Sequence, residues 1–357
     1  GAMQEQLPGR VGDPSMTQLT DPIMDPRVTR LLAAAGDLLD GIKSPDSNAS
    51  YEEALVLCEQ IESKIALAHP LAEAAMPDFS DVHQHEEVIQ GVDGNEITLY
   101  IHQPINRDGP LPCIFHTHGG GMVFMTAADP NFVRLRNALA QSGLVVVGVE
   151  FRNGSGKLGN HPFPAGLNDC DVALQWTDAH RDELGISAIV MSGESGGGNL
   201  ALATTLQAKR DARIGSIQGV YAMCPYIFGG YANPPTQLLS LQENDGYTLN
   251  CSLMSTLVKV YDPDLLNANN PLAWPYHAAP EELAGLPPHI ISVNELDPLR
   301  DEGLVFFRKL LAAGNSATAR IVPATNHAGD LSFPDVAPEP YQETLRSLRN
   351  FAYACAR

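Results

Sequence analysis

Gly193-Glu194-Ser195-Gly196-Gly197 sets a serine among glycines, directly after the apolar run Ala188 to Met191 and before the helix-forming Asn199-Leu200-Ala201-Leu202-Ala203. Strand, tight turn and helix together lift a serine hydroxyl above a sheet, and the flanking glycines remove side chains that would collide with strand and helix. The start of the helix favours developing negative charge. The chemistry this suits is nucleophilic attack on an acyl carbon. Gly196-Gly197-Gly198 opening a helix would also suit a phosphate-cradling loop, but no Lys-Ser/Thr pair follows to favour that reading.

Earlier in the chain His118-Gly119-Gly120-Gly121 closes another expected strand. Successive glycines leave backbone N–H groups unobstructed, and donors fixed in advance stabilise an oxyanion by about 3 kcal/mol each. Gly120, Gly121 and Gly196 are the expected donors. A serine also needs an imidazole to take its proton, oriented by a carboxylate, and in this arrangement the chain order is serine, acid, histidine. Asp297, in Glu295-Leu296-Asp297-Pro298, falls in a loop after the strand His289 to Val293, with Pro298 suited to a helix's first turn. Asp301 and Glu302 fit within that turn, where carboxylates favour the dipole, and Glu295 is the reserve acid. His327 is the one histidine beyond Asp297 and stands in the loop Pro323 to Asp330.

The elements that must position these residues alternate β-branched runs with amphipathic stretches from about Glu96 onward, the pattern of an α/β protein whose mostly parallel sheet is flanked by helices. Strands are expected at Glu96 to His102, Cys113 to Thr117, Leu144 to Glu150, Ala188 to Met191, Gly219 to Met223, His289 to Val293 and Thr318 to Val322, with an antiparallel pair around Val82 to His102. Asp129-Pro130 opens a helix that Gly143 stops, and Gly185 and Gly314 stop others. Pro26 starts a helix expected to end near Gly41, and Ser50-Tyr51-Glu52-Glu53 caps another. Residues 1–3 read as the scar of a cleaved tag. Residues 4–80 are expected to form a helical cap segment, 81–225 with 285–357 the catalytic domain, and 226–284 a second cap insertion with a helix at Ser252 to Tyr261. The two helical segments should form a lid over the strand ends, where such sheets bind ligands.

The formal net charge of −20 disfavours nucleic acid and anionic membrane surfaces. The longest apolar stretch, Gly143 to Val149, is far short of the roughly 20 residues that span a bilayer. Six scattered cysteines show no metal-ligand spacing, and with no secretion signal in view they point to free thiols in the cytoplasm. The chemistry read from the residues requires neither a metal nor an organic cofactor.

Through His118-Gly119-Gly120-Gly121, the Gly193 to Asn199 turn and Asp297-Pro298-Leu299-Arg300-Asp301-Glu302-Gly303, the sequence resembles the bacterial hormone-sensitive-lipase-like esterases over roughly Glu96 to Arg357. His161-Pro162-Phe163-Pro164-Ala165 followed by Asp169 is similar to a further landmark. The resemblance implies an α/β-hydrolase fold with a helical cap, a carboxylesterase acting on short to medium acyl esters, and a possible homodimer. Its departures are Glu194 where the family usually has Asp or Thr, Gly196 where it has Ala, the absence of an aromatic after His327, and a longer glycine-rich loop, Asn153 to Asn160, expected to reshape the pocket entrance. Met122, Phe124, Phe228 and Tyr231 are candidate pocket lining. Other readings remain open: an amidase or deacetylase using the same three residues, a ligand-binding protein on the same scaffold as in the plant gibberellin receptors that have lost the histidine, and a partner-binding role for the helices from Pro26 to Ala68.

Overall fold

The computed structural model describes residues 6–36, 42 and 48–357, so residues 1–3 lie outside the described residues. An eight-stranded sheet runs in the order β1-β2-β4-β3-β5-β6-β7-β8, made of β1 (Val82–Gln90), β2 (Glu96–Pro104), β3 (Leu111–Thr117), β4 (Val145–Val149), β5 (Ile186–Glu194), β6 (Gly219–Met223), β7 (His289–Asn294) and β8 (Ala317–Val322). β1 and β2 pair antiparallel and β2 meets β4 antiparallel. Every later pairing is parallel. β4, Val-Val-Val-Gly-Val, is buried at every position, as a strand covered on both faces must be. Each expected strand is present; β4 is one residue shorter at each end than expected, and the others match or run up to three residues further at an end.

The longer helices are α1 (Pro26–Ala35), α2 (Tyr51–Ala66), α3 (Pro130–Gln141), α4 (Ala165–Ala179), α5 (Gly196–Arg210), α6 (Cys251–Tyr261), α7 (Arg300–Ala312) and α8 (Pro338–Cys355). The expected helix starts hold because their caps are made: Asp25 accepts the N–H of Arg27, Ser50 that of Glu53 and Asn250 that of Leu253. Two boundaries differ from expectation. α1 stops at Ala35 because Gly36, at φ 78°, turns the chain out of the helix, and Gly41 lies outside the described residues. α7 begins at Arg300, not at Pro298, because Asp297 Oδ1 accepts the Leu299 N–H at 2.9 Å and holds Pro298-Leu299 in a turn ahead of the helix.

The strand order reverses beside β3, and that reversal opens a crevice at the carboxyl ends of β3 and β5. α2 and α6, which lie outside the sheet in sequence, pack there: Ala54, Leu57, Cys58 and Ile61 of the first share one apolar core with Leu253, Met254, Leu257 and Val258 of the second. Burying each such leucine contributes about 2 kcal/mol. Residues 6–25 are largely irregular, with one short helix at Gly9–Gly12. They are tied down by the Tyr247 hydroxyl, which donates to Asp21 at 2.8 Å, and by the Asp25 N–H, which donates to the Ala324 carbonyl at 3.0 Å. No helix of the described residues is long and apolar enough to cross a membrane.

Candidate active site

Ser195 stands between β5 and α5 at φ 57°, ψ −119°, a backbone conformation that costs on the order of 1–3 kcal/mol for a residue with a side chain. Its surroundings hold it there. Its N–H donates to Met223 O at 2.9 Å, and its carbonyl accepts from Tyr226 N at 3.1 Å. The glycines are sterically required: a Cβ on Gly193 would run into the carbonyl oxygens of Gly197 and Thr117, and one on Gly197 into Thr117 and His118.

Two strands parallel to β5, two and three places along the sheet from it, lead into the two other expected residues. Asp297 follows β7, is fully buried, and its Oδ2 lies 2.7 Å from His327 Nδ1. His327 follows β8, and its Nε2 lies 2.9 Å from Ser195 Oγ. Burial works against a charged imidazole, but the Asp297 carboxylate and the Cys224 sulfur together outweigh it and raise the His327 pKa well above its ordinary value. Glu295 faces elsewhere, accepting the Ala324 N–H at 2.8 Å.

The glycines after β3 form a turn in which Val123 and Phe124 donate to the Gly120 carbonyl at 3.0 and 3.2 Å. Neither the Gly120 nor the Gly121 N–H is engaged in a hydrogen bond among the described residues, and the Gly196 N–H is an orphan donor at the first position of α5. A Cβ on Gly196 would lie 2.7 Å from both N and Cα of Gly121, which places the two strands' glycine loops in direct contact. Glu194 supports this contact from behind. Its Oε1 accepts the Gly119 N–H at 3.0 Å, and its Oε2 lies 2.9 Å from His116 Nε2. Burial opposes its ionisation, yet His116 and the Gly119 N–H hold its pKa below the ordinary carboxylate value.

A cavity of about 290 Å³ opens over Ser195 and His327, bounded by Gly119, Gly120 and Gly121, by Ile61 and Ile65 of α2, by Leu253, Met254 and Leu257 of α6, and by Phe124 and Tyr226. Of the aromatic and sulfur side chains expected to line it, only Phe124 does. Met122 is buried in the core behind the turn. Phe228 packs edge-on against Tyr276, and the Tyr231 hydroxyl is engaged by Glu302 at 2.7 Å. The loop Asn153 to Asn160 does not reach the cavity either. It braces the turn after β3 instead, with Gly154 N donating to Met122 O at 3.0 Å, Ser155 N to Val123 O at 2.9 Å and Asn153 Nδ2 to Met125 O at 2.7 Å.

Sequence reasoning passed over Cys224, which leaves β6 at φ 37° and brings its thiol to within 4.8 Å of the ligand atoms of Asp297 and His327. This is the one metal-ligating group of three among the described residues. Its geometry is that of a hydrogen-bonded acid–imidazole pair: the 2.7 Å Nδ1–Oδ2 contact is closed, and burial raises the Cys224 pKa and keeps its sulfur protonated. The positive φ gave no signal in the sequence, since no glycine or asparagine marks it.

Residues 114–330 match the family model described as alpha/beta hydrolase fold. Carboxylesterase NlhH of Mycobacterium tuberculosis is 33% identical over 276 residues, covering 74% of this chain and 80% of that protein. Among solved structures, brefeldin A esterase, described as a bacterial homologue of human hormone-sensitive lipase, superposes with a TM-score of 0.90 at 43% identity, covering 99% of both chains. Esterase Est22 superposes with a TM-score of 0.85 at 36% identity over 94% of this chain and 99% of its own.

Proposed function

Because the chain belongs to the α/β-hydrolase fold family, among its hormone-sensitive-lipase-like esterases, and is a carboxylesterase, we propose that it cleaves short to medium acyl esters with Ser195 as nucleophile, His327 as base and Asp297 as orienting acid. The observation that carries this reading is the unbroken chain of contacts from Ser195 Oγ to His327 Nε2 at 2.9 Å and from His327 Nδ1 to Asp297 Oδ2 at 2.7 Å.

Ser195 Oγ attacks the ester carbon while His327 Nε2 takes the hydroxyl proton. The carbonyl oxygen becomes an anion and receives the N–H groups of Gly120, Gly121 and Gly196. When the tetrahedral intermediate collapses, His327 returns the proton to the leaving alcohol. Water then gives a proton to His327 and attacks the acyl-enzyme, and collapse of the second intermediate frees the acid and restores Ser195. Asp297 keeps the imidazole in the tautomer that accepts at Nε2 and offsets its charge once protonated. Every proton passes through His327, so this sequence of steps calls for no cofactor.

The helices α2 and α6 act in this reading as the cap, and the apolar cavity beneath them takes the acyl or alcohol chain. Brefeldin A is a candidate substrate through the relative named for it. The six free thiols support a cytoplasmic setting, and the edge strand β8, with Ile321 exposed, is a candidate seam for a homodimer.

The test is hydrolysis of p-nitrophenyl acetate, butyrate and octanoate by the protein and by Ser195→Ala, with mass spectrometry after an organophosphonate probe. Turnover and one adduct on Ser195, both lost in the variant, are expected. Unchanged turnover in Ser195→Ala would remove Ser195 from the reaction.

A further inference from the structure

The turn that carries the Gly120 and Gly121 donors is held by a carboxylate at each end, and the two come from different parts of the fold. Glu194 of the sheet accepts the Gly119 N–H at its start. At its finish, Glu62 of α2 accepts the Met125 N–H at 2.8 Å on Oε2 and, on Oε1, the Lys157 N–H at 2.9 Å. Met125 sits at φ 71°, a conformation disfavoured for its side chain, so the N–H direction that meets Glu62 must be held by its partners. Between the two anchors the turn is stiff, because Val123 and Phe124 both donate to Gly120 O and a Cβ on Gly120 would strike the Phe124 carbonyl. Fixing Met125 therefore fixes the donors four and five residues before it.

Glu62 stands next to the cavity wall in sequence without lining the cavity itself. Its neighbours Ile61 and Ile65 line the cavity from one helical face, and a Cβ on Gly156 would lie 2.5 Å from the Glu62 carboxylate, so that loop closes against it. We propose that Glu62 is a positioning residue: by clamping the end of the oxyanion turn to α2, it makes the oxyanion hole competent only while the cap helix is seated. This rests on the esterase reading above. Glu62 does not touch the reacting atoms. It sets where the donors stand, so its loss should weaken binding of the transition state and leave the ground state nearly as it was.

The test compares Glu62→Ala and the isosteric Glu62→Gln with the parent in p-nitrophenyl butyrate hydrolysis. Two inhibitors accompany it: a trifluoromethyl ketone, whose carbonyl oxygen becomes an anion when Ser195 adds to it and His327 takes the proton, and a straight-chain alcohol that only fills the cavity. In Glu62→Ala, kcat should fall about tenfold or more with KM within about twofold, and ketone inhibition should weaken by a similar factor while alcohol inhibition stays unchanged. Hydrogen exchange in the peptide spanning residues 119–125 should accelerate. Glu62→Gln, which removes one of the two acceptor oxygens and keeps the helix intact, should move the same readouts in the same direction. A rise in KM with kcat intact, or equal weakening of both inhibitors, would overturn the clamp and leave Glu62 as a mere cap anchor. If the parent neither turns over nor labels at Ser195, the esterase reading fails, and exchange at residues 119–125 in the variants still decides whether Glu62 holds the turn.

Discussion

A methyl group on residue 196 would stand 2.7 Å from the Gly121 amide nitrogen. Gly196 therefore lets the turn after β3 come closer to Ser195 than an alanine would allow, which brings the proposed donors of the two glycine loops together. Gly196→Ala should push that turn away from Ser195 and lengthen the reach of Gly121 to the oxyanion. The expected outcome is a fall in kcat of about tenfold to a hundredfold, with little change in KM, measured by steady-state hydrolysis. Parent-like kcat would mean that the turn yields without moving its donors.

Glu194 is buried between His116 and the Gly119 N–H with one carboxylate oxygen on each, so a glutamine there keeps an acceptor for one of them and turns an amide NH2 toward the other. Glu194→Gln is expected to lower stability by about 3 kcal/mol, since breaking one side of a buried pair leaves the other side uncompensated. Its pKa is held below the ordinary carboxylate value, so the stability it contributes is present above that value and lost as pH falls through the depressed one. Urea unfolding at a series of pH values should show the parent losing stability in acid more steeply than Glu194→Gln. Parallel acid limbs would remove Glu194 from that role.

The candidate site was legible in the sequence where chemistry forces a local pattern. Ser195 needs glycines before and after it because carbonyl oxygens of Thr117 and Gly197 crowd those positions, and that need shows as a motif. Asp297 and His327 are found by their place after β7 and β8. The strands were legible for the same reason, since β4 and β6 are buried at every position and read as apolar runs. What the sequence hid depends on contacts distant along the chain. Glu62 reads as one carboxylate on a polar helix face, and nothing near it points to Met125, 63 residues away. Phe228 and Tyr231 read as lining because aromatic residues in a long connection suggest it, but Glu302, 71 residues beyond Tyr231, takes that hydroxyl into the core.

The pH dependence of hydrolysis follows from His327. In the proposed mechanism only the neutral imidazole accepts the Ser195 proton, and Asp297, with Cys224 beside it, raises its pKa well above the ordinary value against the opposing effect of burial. Activity should therefore rise with pH, with a midpoint on the alkaline side of an unperturbed histidine. In Asp297→Asn the midpoint of the residual activity should move toward acid, and kcat should drop by about four orders of magnitude because the wrong tautomer faces the serine. A pH profile of kcat/KM for both proteins checks this, and coincident midpoints would show that Asp297 does not set the titration.

Glu302 makes the opposite demand on the fold. Its Oε2 accepts from the N–H groups of Ile227 and Phe228 at 2.8 and 2.9 Å and from the Tyr231 hydroxyl at 2.7 Å, while its buried Oε1 has no partner among the described residues. Burial raises its pKa to about 8, and the nearby Asp297 charge adds to the effect. Between the ordinary carboxylate value and about 8 the folded chain keeps a proton that the unfolded chain has released, so folding is favoured by acid and weakened as pH rises through that window. The slope for one such group is at most about 1.4 kcal/mol per pH unit. Glu302→Gln preserves the acceptor oxygen and abolishes the titration. Chemical unfolding from mildly acid to mildly alkaline pH should show the parent losing stability relative to this variant, the difference levelling once Glu302 is ionised in both states. A constant difference across the range would mean that Glu302 is already ionised in the folded protein, with its three donors outweighing burial.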